Sequence, residues 1–424
     1  MPALRYRALV DSFAADIRAG RLAAGTRLPT HRQLAASSGI ALVTATRVYA
    51  ALEGLGLVSR EQGRGTFVRS LPAGHGVDMS FAAEDFVDLN FNYPSVPGQT
   101  DMLRQSLREL AGSGDLEALL RYQPHAGRRS DRAVIADYLG APADDVLIVN
   151  GAQHGLAVTL MALLKPGDPV AVDPLTYPGF KVLAEMLHLE LVPSWPSGRP
   201  VRAVYTMPTV HNPLGSVMPA ADRERLLATA RRQGALVIED ASYAFLEPDP
   251  PPSLRALAPD ITVHVSGLSK SVATGLRVGF VVAPPALVPA LERAIRATTW
   301  NTPALATAIA CRWITDGTAS ALAARKRSDA AVRQAVAREE LAGLGPVGHP
   351  SSYFTWLPLP PDARADRLAA TLAAQRIAVS TAEPFATTTH TPQALRLALG
   401  SADLVSLRTS LRTVKATVLE DADR

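Results

Sequence analysis

The chain has 424 residues, more than one ordinary domain contains, and its 47% hydrophobic and 19% charged residues are typical of a globular protein. It has no apolar run long enough to cross a membrane and no secretory signal at its start. Its one cysteine, Cys311, excludes an intramolecular disulfide. We therefore expect two or three domains and a cytoplasmic location, and we assign no metal site.

Positive charge is concentrated at the start of the chain. Residues 1–70 contain ten Arg, no Lys and four acidic residues, which gives a net charge of +6. The rest of the chain has 33 basic and 35 acidic residues and carries −2. Such a division is expected when one segment binds nucleic-acid phosphate.

The first 70 residues contain three helical segments and then two short strands. Apolar spacing predicts a helix over residues 4–19, Thr30 predicts the N-cap of a second helix, and Gly39 predicts the turn before a third helix over residues 42–52. Two strands joined by a Gly-rich hairpin follow, at residues 57–60 and 66–69. This is the element order of a winged helix-turn-helix.

In a winged helix-turn-helix the last helix enters the major groove of DNA, and the wing follows the backbone or the minor groove. We therefore predict duplex DNA as a partner. The residues expected to contact it are Arg32, Thr44, Thr46, Arg47 and Arg64.

Residues 18–68 also resemble the GntR-type winged-helix domain. The resemblance rests on the run G-x-L-x-x-G-x-x-L-P-x-x-R-x-L-A from Gly20 and on the wing sequence G-x-G-T-F from Gly63. The family often has Ser-Arg early in the third helix, where this chain has Ala41-Leu42. Base readout by an arginine at that position is therefore not expected here.

The remainder of the chain has the pattern of an α/β domain. Residues 71–87 are predicted to be a linker, because their start is small, polar and rich in Gly and Pro. From residue 88 to 424, continuous β-type runs alternate with helical stretches, which predicts a mostly parallel sheet with helices on both faces. The runs are residues 146–149, 170–172, 203–205, 236–238 and 261–265. From about residue 303 we expect a small C-terminal α+β subdomain, with a strand at residues 353–357.

Three of the predicted strands are followed by residues that could hold a ligand, at the edge where open α/β sheets bind one. Gly151 and Ala152 could let backbone N–H groups approach an anion, and Asp240 could pair with a protonated ring nitrogen. Lys270 follows the third strand, and Arg277 lies seven residues later. A lysine can form a Schiff base and an arginine can hold a phosphate. With only five Lys against 38 Arg in the chain, Lys270 is less expected as a surface residue.

Taken in order, residues 88–412 resemble the fold-type I pyridoxal-phosphate enzymes of the aminotransferase class I and II group. The resemblance implies pyridoxal 5'-phosphate as the cofactor, held as an aldimine by Lys270, with Asp240 on its ring nitrogen and Tyr243 completing the catalytic set. Arg396 would bind a substrate α-carboxylate. The further cofactor contacts that it implies are Asn212 and Tyr243 to the ring hydroxyl, Tyr177 to the ring face, Gly151, Ala152, Ser269 and Arg277 to the phosphate, and Tyr122 to the phosphate of a neighbouring subunit.

The chain departs from this group at one phosphate contact. Ser or Thr is usual three residues before the lysine, where this chain has Gly267, and Ser266 could supply the hydroxyl instead.

A GntR-type domain ahead of an aminotransferase-like domain resembles the MocR subfamily of regulators. The resemblance implies a head-to-tail homodimer that binds promoter DNA, pyridoxal phosphate and an amino-containing effector, with aldimine exchange at Lys270 changing the domain arrangement.

Two alternatives stay open. Every catalytic position is filled, so the chain could be a functional aminotransferase that carries a DNA-binding domain. It could also respond to pyridoxal phosphate itself.

Overall fold

The computed structural model describes residues 2–18, 21–22, 26–54, 57–61, 65–68, 86–113, 115–193, 199–388 and 391–422. The chain divides into two compact units, Met1–Asp78 and Met79–Arg424. Residues 71–85, most of the predicted linker, lie outside the described residues. Among those that are described, no single helix is both long and apolar enough to cross a membrane.

The first unit is a three-helix domain with a hairpin. Its elements are α1 (Pro2–Arg18), α2 (His31–Ser38), α3 (Leu42–Gly54), β1 (Val58–Glu61) and β2 (Gly65–Val68). The strands β1 and β2 pair antiparallel, with Val58 opposite Val68. The helices enclose a buried apolar core that includes Val10, Ala14, Ile17, Leu34, Val48 and Leu52. The winged helix-turn-helix that the sequence predicts is therefore confirmed.

The turn between α2 and α3 follows from local sequence. Thr30 caps α2, since its hydroxyl accepts a hydrogen bond from the Gln33 amide and its own amide donates to the Gln33 side chain over 2.8 Å. Gly39 ends α2 in the left-handed conformation, at φ +62°, which glycine adopts at no steric cost. The two helices meet at 114°, within the range of DNA-binding helix-turn-helix motifs.

The second unit contains a seven-stranded sheet in the order β4-β10-β9-β8-β7-β5-β6. All neighbouring strands pair parallel except β10, which is antiparallel to both β4 and β9. The prediction of a mostly parallel sheet is confirmed, whereas β10 was not predicted. The strands are β4 (Val146–Val149), β5 (Pro169–Val172), β6 (Glu190–Pro193), β7 (Ala203–Thr206), β8 (Leu236–Asp240), β9 (Thr262–Gly267) and β10 (Gly279–Val282).

The α-helices before, between and after these strands pack with the sheet around three buried apolar clusters. They are α4 (Gln99–Ser113), α5 (Leu116–Leu120), α6 (Arg129–Leu139), α7 (Ala152–Leu163), α8 (Pro178–Met186), α9 (Ala220–Gln233), α10 (Leu254–Leu257), α11 (Leu268–Ser271), α12 (Val288–Thr298), α13 (Ala304–Thr315) and α14 (Thr318–Glu340).

A smaller four-stranded sheet has the order β11-β13-β12-β3. Its first strand in the chain, β3, pairs parallel with β12, with Val87 opposite Ile377. The start of the second unit therefore packs with its C-terminal part. The elements of this layer are β3 (Val87–Leu89), β11 (Phe354–Pro358), α15 (Ala365–Ala374), β12 (Ile377–Thr381), β13 (Ala394–Ala398) and α16 (Leu404–Ala422).

Candidate functional site

The residues predicted to hold a ligand converge on the carboxyl edge of the seven-stranded sheet. Asp240 is the last residue of β8, Lys270 lies on α11 directly after β9, and Gly151 precedes α7 directly after β4. Because the carboxyl ends of parallel strands share one edge, the topology brings these residues together.

Arg277 and the start of α7 form a compact anion-binding arrangement. The Arg277 guanidinium donates hydrogen bonds to the Asn150 carbonyl over 3.2 Å and to the Ser269 hydroxyl over 3.1 Å. Gly151 has a φ of +80°, and a Cβ at this residue would lie 2.7 Å from Nη2 of Arg277. The left-handed φ favours glycine at this position. The guanidinium and the amide groups that begin α7 from Ala152 together suit a phosphate.

Gly267, which stands where the aminotransferase group usually has Ser or Thr, lies in a closely packed part of the sheet. Gly267 pairs with Gly279 where β9 meets β10. A Cβ on Gly267 would lie 3.0 Å from the Val278 carbonyl oxygen and 3.1 Å from the Cα of Gly279. The neighbouring Ser266 is buried, and its hydroxyl has no hydrogen-bond partner among the described residues.

Asp240 is a buried carboxylate held by three hydrogen bonds. One oxygen accepts from the Tyr205 hydroxyl over 3.0 Å, and the other accepts from the Ser242 amide over 2.9 Å and from its hydroxyl over 2.6 Å. Burial raises the pKa of Asp240, and these hydrogen bonds oppose the rise. In the described part of the chain no Lys or Arg pairs with it, so a cationic ring nitrogen beside it would stabilise the charged form.

Lys270 lies next to a second lysine, Lys326, which was not predicted to be a site residue. The ammonium of Lys270 donates to the Asn92 carbonyl over 2.6 Å. The side chain of Lys326, on α14, is fully buried and donates to the carbonyls of Lys270 over 3.2 Å and of Val272 over 2.5 Å. Burial, together with the nearby Lys270 cation, lowers the pKa of Lys326 to about 8.

Arg396, on β13, is a buried cation that forms no direct ion pair with a described carboxylate, although the charge of Asp88 acts on it from farther away. Only 5% of its surface is exposed, and it donates to the Asn90 carbonyl over 2.8 Å. Its guanidinium carbon lies 5.1 Å from the ring centroid of Phe354 and 6.0 Å from that of Phe385. Burial lowers the pKa of Arg396, and the phenol of Tyr243 beside it opposes that change. A carboxylate ligand would supply the missing counter-charge.

Tyr177 connects the groups described so far. Burial raises the pKa of its phenol, and so does the charge of Asp240, whereas Arg277 and Arg396 oppose the rise. Asp240, Arg277 and Arg396 therefore all lie near the Tyr177 phenol. Tyr243 is also buried, with its ring 5.1 Å from that of Phe354.

Several buried polar atoms around this pocket have no hydrogen-bond partner among the described residues. Since buried polar groups are normally paired, this concentration indicates that the pocket accommodates a polar ligand. Asn212, which the sequence predicts as a contact to the cofactor hydroxyl, is one of them. The atoms are Asn92 Nδ2, Asn150 Oδ1, Gln153 Oε1, Thr176 Oγ1, His211 Nδ1, Asn212 Oδ1, Ser266 Oγ and Arg396 Nε. One further buried atom, Thr302 Oγ1, is also unpaired among the described residues.

Tyr122, unlike the buried residues described above, lies on the surface of the chain. It is 85% exposed, and its ring lies 5.5 Å from that of Trp300. His125 also contacts Trp300, through a 2.7 Å hydrogen bond from ring nitrogen to carbonyl and an edge-to-face ring contact. Within a single chain, the described contacts of Tyr122 are with this exposed aromatic cluster.

The predicted DNA contacts lie around the outer side of α3. Arg32, Thr46 and Arg47 are exposed, whereas Thr44 is half-buried. Arg47 lies over the ring of Tyr6, 5.3 Å from its centroid. A surface groove is lined by Thr30, His31, Arg32, Leu42 and Thr46. Arg64 lies outside the described residues, so its contact stays a prediction.

Comparison with known families assigns both units. Residues 5–68 match the description "Bacterial regulatory proteins, gntR family", and residues 84–199 and 195–406 match "Aminotransferase class I and II". The regulator TauR of Rhodobacter capsulatus is 31% identical over 341 residues, which cover 68% of this chain and 69% of that protein. The chain belongs to the MocR subfamily of GntR-type transcription regulators.

Two further relatives are also named as regulatory proteins. The HTH-type transcriptional regulator YdeF of Bacillus subtilis is 29% identical over 416 residues, covering 92% of this chain and 88% of that protein. The rhizopine catabolism regulatory protein MocR of Rhizobium meliloti is 28% identical and covers 71% of this chain and 69% of its own length.

Solved structures confirm the fold of the second unit. The kynurenine aminotransferase of Pyrococcus horikoshii superposes with a TM-score of 0.75 at 22% identity, covering 80% of this chain and 92% of that one. The α-aminoadipate aminotransferase LysN of Thermus thermophilus gives 0.72 at 22%, covering 81% and 95%. This MocR-type regulator thus joins a DNA-binding winged helix-turn-helix to a fold-type I aminotransferase-like domain, a fold that implies pyridoxal phosphate as cofactor.

Proposed function

We propose that this protein binds pyridoxal phosphate at the pocket around Lys270 and regulates transcription in response to an amino-containing carboxylate or to the cofactor itself. The observation that carries the proposal is the convergence on one pocket of an amine, a buried carboxylate and an anion-binding helix start, in a chain that also has a DNA-binding domain. The unpaired buried polar atoms around the pocket fit the same ligand.

Each part of the cofactor has a matching group. Lys270 would hold it covalently through its amine, and Asp240 would hold the ring nitrogen in its protonated form. Asn212 and Tyr243 would bind the ring hydroxyl, and Tyr177 would cover the ring face. The phosphate would lie against Gly151, Ala152, Ser269 and Arg277. When bound, pyridoxal phosphate supplies an electrophilic carbon for a primary amine and a ring that withdraws electrons from it.

Arg396 selects the effector in this proposal. A buried guanidinium recognises a carboxylate through paired, charge-assisted hydrogen bonds, so it favours amino acids over simple amines. An effector changes DNA affinity only to the extent that it binds the DNA-competent and other arrangements of the chain with different free energies. Exchange of the amine at Lys270 is the step that would create this difference.

We also infer a homodimer, in which Tyr122 of each chain reaches the phosphate of the other. The exposure of Tyr122 and its packing on Trp300 support this role, since large exposed aromatic side chains are common at protein interfaces.

The covalent role of Lys270 is tested by mixing the purified protein with pyridoxal phosphate and recording its visible absorbance. Wild type should develop the red-shifted band of a lysine-bound cofactor, and Lys270→Ala should not. Lys165→Ala, which removes an exposed lysine on the same domain, is the matched control and should behave as wild type. A band that survives in Lys270→Ala but not in another lysine variant would overturn the assignment.

A second candidate function, steady transamination, is favoured by the presence of Lys270, Asp240 and Arg396 in one pocket. It predicts continuous conversion of an amino acid when a keto acid is supplied. A spectral change on adding the amino acid, without turnover, supports the regulator instead.

A further inference from the structure

The recognition helix α3 begins with two exposed apolar side chains. Leu42 and Val43 are its first two residues, and they are 47% and 71% exposed. In a helix-turn-helix the N-terminal residues of the recognition helix contact the base edges in the major groove. Two apolar side chains therefore stand where sequence is read.

The polar side chains nearby are engaged elsewhere. The Thr46 hydroxyl donates to the Leu42 carbonyl over 3.1 Å, within the helix, and Thr44 is half-buried. Arg47 lies against the Tyr6 ring on α1. Leu42 and Val43 therefore form an exposed apolar part of the first turn of α3, beside the predicted polar contacts Thr46 and Arg47.

The residues around Leu42 and Val43 indicate which kind of molecule these two side chains contact. Leu42 shares a surface groove with Thr30, His31, Arg32 and Thr46, and residues 1–70 carry a net charge of +6. Polar and cationic groups around an apolar centre match duplex DNA, in which phosphates flank the major groove. The apolar group that bases present in that groove is the C5-methyl of thymine.

We infer that Leu42 and Val43 read thymine methyl groups, so that each operator half-site has A·T pairs beneath the start of α3. The inference rests on the DNA-binding function and specifies its sequence preference. Apolar contact with a thymine methyl is non-directional, so discrimination comes from burial of carbon against carbon.

The test begins with selection of duplexes from a random-sequence library by the full-length protein. Each thymine of the enriched half-site is then replaced, one at a time, by deoxyuridine, which removes only the methyl group. Replacement beneath α3 should weaken binding about fourfold per methyl, the ratio that corresponds to roughly 0.8 kcal/mol for one buried methyl group. Deoxyuridine outside the half-site should have no effect.

The variant Val43→Ala connects the effect to the side chain. Because Val43 is exposed and alanine favours helix, the variant should fold. At one position its discrimination between thymine and deoxyuridine should fall from about fourfold to near one. Val405→Ala removes an equally exposed valine, 77% accessible, from the second unit and should keep the wild-type ratio.

Two results would overturn the inference. Enriched half-sites whose deoxyuridine duplexes bind as tightly as the thymine duplexes would refute methyl readout, while the enrichment itself would leave DNA binding established. Failure to enrich any sequence, at low or moderate salt, would refute the DNA-binding function together with the inference.

Discussion

Replacement of Arg396 by methionine tests how the pocket recognises its effector. Methionine keeps much of the side-chain length and removes the charge, so Arg396→Met deletes the proposed carboxylate contact from a site that is only 5% exposed. Removing one partner of a buried, hydrogen-bonded ion pair costs about 3–5 kcal/mol. The apparent dissociation constant for an amino acid should therefore rise roughly 10²- to 10⁴-fold.

The stability of the protein should change far less. In the free protein the variant loses hydrogen bonds to the Asn90 carbonyl and to the Tyr243 phenol, each worth about 1 kcal/mol, and it also removes a buried charge that is costly to desolvate. A large loss of ligand affinity with little change in unfolding midpoint would thus locate the effect in recognition rather than in folding.

The assay compares two ligands that differ by one carboxylate, alanine and ethylamine, by titrating each into the cofactor-loaded protein and following its visible absorbance. Wild type should prefer alanine strongly, and Arg396→Met should bind the two about equally. Arg231→Met, at an exposed arginine on α9, is the control. If wild type does not distinguish the two ligands, or if the Arg396 variant weakens both by the same factor, the carboxylate role is refuted.

Two further predictions concern the charged side chains of Asp240 and Lys326. Asp240→Asn removes the charge proposed to hold the ring nitrogen, and cofactor affinity, measured by equilibrium dialysis, should fall about 10- to 100-fold; an unchanged affinity would contradict this role. Lys326 has its pKa lowered from 10.5 to about 8, so between those values the unfolded chain binds more protons than the folded one and stability rises with pH. The rise for this one group is about 3 kcal/mol. Lys326→Met should lack it when urea midpoints at pH 7.5 and 10 are compared with wild type, and equal pH dependence in both proteins would contradict the assignment.

Much of the fold follows from local pattern. The pair Thr30 and Gln33 predicts the start of α2, and Gly39 predicts its end. Both can be predicted because the contacts involved span only a few residues. The buried parallel strands are continuous apolar runs, and the residues after them line one edge by topology. Topology therefore predicts that Lys270, Asp240 and Arg277 lie at one edge of the sheet, and their roles toward a cofactor follow from the resemblance to the aminotransferase group.

Other features depend on contacts between residues distant in sequence. The run Gly279–Val282 is apolar, but nothing local states that it pairs antiparallel between β4 and β9. Asn92 meets Lys270 through a backbone carbonyl, which any residue type could provide. Lys326 looks like a surface residue of a long helix until α14 is packed beneath α11. The exposure of Leu42 and Val43, likewise, is a property of the assembled three-helix domain.

The most direct test of the coupling between the two domains is the affinity of the full-length protein for its selected operator, measured across a salt series with and without pyridoxal phosphate. We expect tight, site-selective binding that weakens steeply with salt, and a change in affinity of at least about fivefold on adding the cofactor. Lys270→Ala should bind DNA but lose the cofactor response. Weak binding that ignores sequence would contradict the DNA-binding function, and an operator affinity that neither the cofactor nor an added amino acid changes in wild type would contradict the coupling of the two domains.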